Sequence, residues 1–195
     1  VADAASRRTL VLAVAAGLGL IGFGLWLVVA TLGDLLTREA PAADETRRAA
    51  DPRAVEVTIY YVSADGTDLV PVVRELAAVA TTAEMARRVV EAQIAAPPAG
   101  RVSPIPAGTT LRAVFLTGRG EAFVDLGGAI ATGHPGGSLH EALTVYALVN
   151  ALTTNVADVS SVQILVEGRE VDTLAGHLDV REPLRRAEAW IAKGQ

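Results

Sequence analysis

FVDLGGAIATGHPGGSLHEALTVYALVNALTT, Phe123–Thr154, decides how this chain is built. A strand-like run, Phe123–Leu126, breaks into a loop holding Gly127, Gly128, Gly133, Gly136 and Gly137. A long apolar segment then follows from about Leu139 to Thr153, reading as a helix. Ser138 and Glu141 stand three apart at its start, the spacing of a capping box in which Ser138 accepts from an early helix N–H and Glu141 reaches back. The loop invites a catalytic reading, and each version of it fails on a missing residue. A Walker-type phosphate loop needs a lysine after its last glycine. The dinucleotide fingerprint needs a tight strand-to-helix turn with other glycine spacing, and a nucleophile elbow needs glycine where His140 stands. Capping is therefore the expected role of Ser138.

The histidines support the same reading. His134 and His140 are six apart across a helix start, and His177 lies near Asp179. A zinc site draws on three or four convergent ligands, commonly with a helical i, i+4 pair, and the sequence holds no such pair. No metal or cofactor is expected. Asp125 between Val124 and Leu126 has no partner visible in sequence, so a strand-end hydrogen bond is expected of it and not acid catalysis.

Outward from this centre, strands and helices alternate in pairs. VEVTIYYV, Val55–Val62, is β-branched and aromatic, and LVPVVREL, Leu69–Leu76, follows Asp65-Gly66. Pro71 makes the second run an edge strand or marks a bulge, because it cannot donate to a ladder. Thr81 and Glu84 form another capping box before a helix with Met85, Val89 and Ala92 on its apolar stripe, ended by Pro97 and Pro98. Leu111–Leu116 and Glu121–Leu126 read as strands, and Val162–Val166 with Glu170–Thr173 as a last hairpin. The expected order is β-β-α-β-β-α-β-β, an α+β domain with helices packed on a sheet.

The chain of 195 residues has room for more than this domain. Residues 10–33 carry no charge and span about 36 Å as a helix, enough to cross a bilayer. A signal peptide ending near Val28-Val29-Ala30 is the rival, but its apolar region would be about 7–15 residues. The expected division is a short cytoplasmic N-terminus at 1–9, a transmembrane helix at 10–33, a tether at 34–54, the α+β domain at 55–182, and a C-terminal amphipathic helix or tail at 183–195. Arg7 and Arg8 before the span favour an N-terminus inside and a periplasmic or extracytoplasmic domain, a single-pass inner-membrane topology. On the anchor, Ala13, Gly17 and Gly24 fall on one face and Ala15, Gly19 and Gly22 nearly opposite, so two neighbouring helices could approach closely. In the tail, Leu184, Trp190 and Ile191 are candidate contacts for a partner or the membrane. There is no cysteine, Lys193 is the only lysine among 17 basic residues, and the net charge of −5 argues against nucleic acid.

Taken in order, Tyr60-Tyr61, the LVPVVREL run with Arg74, Ile105-Pro106-Ala107-Gly108-Thr109, Val124-Asp125-Leu126, Asn150-Ala151-Leu152-Thr153 and Val162–Gly168 resemble a GerMN (germane) domain. That module is named after a sporulation and spore-germination protein. Leu178-Asp179 and Pro183-Leu184 also fit, so the resemblance covers about residues 55–186; Ala95-Ala96-Pro97-Pro98 departs from it, where members carry Gly-Pro. It implies an extracytoplasmic module, often membrane-tethered, with no established catalytic activity, whose relatives in spore formers resemble ring-building parts of envelope complexes. The expectation is a non-catalytic, membrane-anchored accessory subunit that stabilises or assembles a larger membrane complex, envelope, respiratory or photosynthetic. Its partners would be complex subunits touching both anchor and domain, together with the lipid bilayer. A periplasmic ligand-binding module, for example for cell-wall glycan, is the alternative, and a hydrolase using Ser138 or Asp125 the least favoured.

Overall fold

The protein is described by a computed structural model over residues 54–193. The expected anchor at 10–33, with Ala13, Ala15, Gly17, Gly19, Gly22 and Gly24, lies outside the described residues. Among the described residues, no helix is long and apolar enough to cross a membrane.

The first strand, β1 (Ala54–Val62), pairs antiparallel with β2 (Leu69–Ala77), and the two form a sheet of their own. Its β-branched and aromatic residues suit a pleated surface buried on one side. Val57, Ile59, Tyr60 and Tyr61 are all buried. Pro71 stands opposite Tyr60. The Tyr60 peptide groups bond elsewhere, to the side chain of Gln93, so no ladder bond runs across this pair and the missing proline N–H costs nothing. The expected edge strand is present for that reason.

Helix α1 (Thr82–Ile94) starts where Thr81, in extended conformation, accepts from the Glu84 N–H at 3.2 Å. Only this half of the box forms; no return bond from the Glu84 carboxylate occurs among the described residues. The helix ends as Ala95 turns extended ahead of Pro97. Its buried residues are Ala86, Val89, Val90, Ala92 and Gln93, an apolar stripe with one amide in it.

The second sheet holds β3 (Leu111–Leu116), β4 (Glu121–Leu126), β5 (Ser161–Val166) and β6 (Arg169–Glu170) in that order, with β7 (Leu184–Arg185) also on β5. Strands β4 and β5 are parallel, from Glu121↔Ser161 to Leu126↔Val166. Parallel neighbours need a long crossover. The opening stretch supplies it, through a short helix α2 (Ala129–Thr132) and then α3 (Ser138–Asn155). Leu143, Val145, Leu148, Val149 and Leu152 of α3 are buried around most of its circumference, so it is the axis of the core and not a surface helix. Burying each leucine contributes about 1.5–3 kcal/mol.

The architecture is α+β, and it differs from the expected order, which also lacked the short helix α2. There are two sheets instead of one, and the last hairpin shrinks to Arg169–Glu170 because β7 takes the other end of the same β5 edge. Of the expected amphipathic helix or tail at 183–195, the described part through Lys193 is not an α-helix. Leu184–Arg185 becomes β7, Glu188–Trp190 a single 3-10 turn, and Ile191 bridges Leu69 of β2. The cause is capture by the domain: buried Asn150 holds both peptide groups of Ala187, and Trp190 stacks on Tyr146 at 5.6 Å and 19°.

Candidate functional site

The residues singled out by the opening stretch converge on the first turns of α3. Gly137, at φ 85°, is the N-cap, a left-handed conformation that L side chains rarely adopt. The sharp turn starts the helix at Ser138 itself, and no side chain caps it. The expected Ser138–Glu141 capping box is therefore absent. Glu141 N–H bonds the Gly137 carbonyl at 3.0 Å, and its carboxylate turns away into the core.

There, with no solvent exposure, the Glu141 carboxylate accepts from the backbone N–H groups of Leu174, Ala175 and His177, each at 2.8 Å. His177 Nδ1 lies 3.2 Å from it. Burial pushes this carboxyl up, but the N–H groups of Ala175, His177 and Leu174 outweigh it and hold the group below the usual carboxylate range. Glu141 is thus a clasp between α3 and the loop after β6, closed on itself where Val180 N–H meets the Asp172 carbonyl.

His134 fastens the other side. The Thr144 hydroxyl donates to the Pro104 carbonyl at 2.6 Å, so it accepts from His134 Nε2 at 3.1 Å. His134 Nδ1 accepts from Gly136 N–H at 3.0 Å. Both ring nitrogens are occupied by the neutral form, and burial holds the imidazole below its ordinary value. Asp125 is likewise engaged, by Arg112 Nε at 3.0 Å and Gly168 N–H at 2.7 Å, the strand-end role expected of it. Ser138, His134 and Asp125 do not bond to one another: His134 is held by Thr144 and Gly136, Asp125 by Arg112 and Gly168, and the Ser138 side chain makes no hydrogen bond among the described residues. Among the described residues no group of three or more His, Asp or Glu is placed to hold a metal.

The surface feature left open beside α3 is a groove of about 810 Å³. Its lining includes Val62, Ile94, Ile105 and Leu143, and four prolines, Pro97, Pro104, Pro106 and Pro135. Exposed Asp65 and His140 also line it. Pro97 belongs to the Ala95–Pro98 loop, where the sequence departs from the resemblance. No Phe, Tyr or Trp lines the groove among the described residues.

Leu184, Trp190 and Ile191, expected as candidate contacts for a partner or the membrane, pack partly buried against the domain's own core. Sequence reading missed three amides: Gln93 on Tyr60, Asn155 on Thr58, and Asn150 on Ala187. Each sits in an otherwise apolar helical stripe, and that interruption was the available signal.

No curated protein matches the chain. Among solved structures, a protein of Clostridium perfringens described as a lipoprotein superposes with a TM-score of 0.51 at 17% identity, covering 69% of this chain and 89% of that one. The first GerMN domain of the sporulation protein GerM from Bacillus subtilis gives 0.53 at 19% identity, over 68% and 98%. The tandem GerMN domains of the same protein give 0.51 at 18%, and here the match spans 46% of the tandem. At these identities the likeness establishes the fold alone. The sequence itself goes further, since residues 58–172, more than half the chain, match the Germane family, described as Sporulation and spore germination, and the chain belongs to that family.

Proposed function

We propose that the chain is a non-catalytic, membrane-anchored accessory subunit whose GerMN domain lies outside the cytoplasm and stabilises a larger membrane complex. One observation carries the reading. The polar side chains that could serve chemistry, Glu141, His134 and Asp125, are spent on holding loops to the fold, while the open surface beside them is apolar. Such a surface suits protein contact more than bond-making. The likeness to a protein described as a lipoprotein supports an extracytoplasmic place. The uncharged segment 10–33, which as a helix would place small residues on opposite faces, supports an anchor packed between neighbouring helices.

The test is copurification after extraction in mild detergent. Stoichiometric membrane-protein partners are expected, and they should be lost when Gly17 and Gly24, or Gly19 and Gly22, are replaced by Leu, although each variant still reaches the membrane. Recovery of the wild-type chain alone would overturn the reading. Added protease should remove the domain from intact spheroplasts; protection until lysis would place it in the cytoplasm instead.

A further inference from the structure

The groove beside α3 has a composition that selects its occupant. Its apolar floor is aliphatic, from Val62, Ile94, Ile105 and Leu143, and four prolines stiffen its walls. The Pro104 wall is tied to α3 through Thr144 and His134, and Val62 N–H ties the Val102 wall to β1 at 2.9 Å. A wall held in this way is preformed, so little ordering entropy is lost on binding. Sugar rings stack on the broad faces of Trp, Tyr and Phe, and none of these lines the groove among the described residues.

The groove is lined by one carboxylate, Asp65, and one imidazole, His140. Asp65 is exposed, and its carboxylate is engaged by the Ser63 hydroxyl at 2.5 Å and Thr67 N–H at 3.3 Å, with no cation paired to it among the described residues. These bonds hold it below the usual carboxylate range, with the Ser63 contact contributing most. No arginine or lysine lines the groove among the described residues. Val102, on the wall, is 63% exposed, apolar surface presented directly to solvent.

We infer that this groove docks a protein segment presenting aliphatic side chains flanked by lysine or arginine, the aliphatic group entering between the prolines and the base facing Asp65. This rests on the accessory-subunit reading and names the kind of partner surface it would meet. Opposite charge at the margin chiefly sets encounter rate and register, while apolar burial supplies most of the affinity.

The test is methyl NMR on the full chain in lipid nanodiscs, following Val62, Ile94, Ile105 and Leu143. The probes are acetyl-Lys-Leu-Ile-Lys-amide, its Glu-Leu-Ile-Glu counterpart, and chitotriose. The basic peptide should shift these methyls saturably, and weaken severalfold as salt rises past about 0.15 M, where screening falls to about 8 Å. Asp65→Asn, which keeps an acceptor for Ser63 and Thr67, should weaken it about threefold and remove the salt dependence. Val102→Arg, at an exposed site, should abolish binding, whereas Glu75→Gln on exposed β2 should change nothing. Equal binding of the acidic peptide, movement of the same methyls by chitotriose, or no response to any probe would each overturn the assignment. If that happens while partners still copurify, the groove proposal alone fails; a chain recovered without partners removes the subunit reading itself.

Discussion

Gln93 serves Tyr60 as a neighbouring strand would: its Oε1 accepts from the Tyr60 N–H at 2.9 Å and its Nε2 donates to the Tyr60 carbonyl at 2.8 Å. Two residues along, Asn155 does the same for Thr58, at 2.7 and 2.8 Å. Val62 N–H completes the row on the Val102 carbonyl. The edge of β1 that faces away from β2 is thereby closed by helices and a loop, which satisfies buried peptide groups that a two-stranded sheet leaves open.

Removing that amide should be costly. Gln93→Ala leaves a buried N–H and a buried carbonyl of Tyr60 without partners, and a loss of about 2–4 kcal/mol is expected. Gln93→Leu, which preserves volume, should lose a similar amount, because packing is not what the position provides. Urea denaturation of the three proteins decides it: a leucine variant as stable as wild type would mean that the amide bonds contribute nothing net.

At the start of α3 the expected ranking of two neighbours is inverted relative to a serine cap. Ser138→Ala should change stability by less than about 0.5 kcal/mol, since Ser138 caps nothing. Gly137→Ala should cost about 1 kcal/mol or more, because φ 85° is strained for any residue with a Cβ. Space is not the obstacle; a Cβ there would come no closer than 3.7 Å to His140. Thermal melts of both variants read the difference directly.

Acid should weaken the fold in two stages. His134 has a folded value below its usual 6.5, so the unfolded chain takes up a proton first, and stability falls as pH drops below about 6.5. Glu141 is likewise depressed, from 4.5, so its contribution is present above that value and is lost as pH falls through the folded one. Glu141→Gln should cost about 2–4 kcal/mol at neutral pH, by losing charge-assisted bonds to buried N–H groups. It should also flatten the stability profile below pH 4.5. An acid limb identical to wild type would show that the clasp is not what titrates.

Trp190 packs partly buried at the core margin, stacked on Tyr146. Trp190→Ala should remove its stack on Tyr146 and destabilise the domain by about 1–3 kcal/mol. Liposome flotation of the chain should be unaltered at temperatures where the variant stays folded. Lost flotation with unchanged stability would reverse this assignment.

Local chemistry was enough to read several parts of this protein from its sequence. A β-branched run makes β1, a threonine three residues before Glu84 starts α1, and a proline in LVPVVREL marks an edge strand. In each case the cause and its effect lie within a few residues. The same holds for the family resemblance, carried by short motifs in order. What the sequence could not disclose is which distant group each buried polar side chain would meet. Glu141 has the spacing of a capping residue, yet its carboxylate bonds a loop 33 positions away. Pro183–Lys193 has the pattern of an amphipathic helix, yet Asn150, 37 positions from Ala187, claims the peptide groups that such a helix would use internally. A buried carboxylate or amide must be satisfied by whatever donors and acceptors collapse against it. A nearby partner that leaves it in water competes poorly with a distant one that does not. That competition is settled only when the chain has closed around α3, so the parallel pairing of β4 with β5, the clasp at Glu141 and the path of the C-terminal segment belong to the tertiary structure.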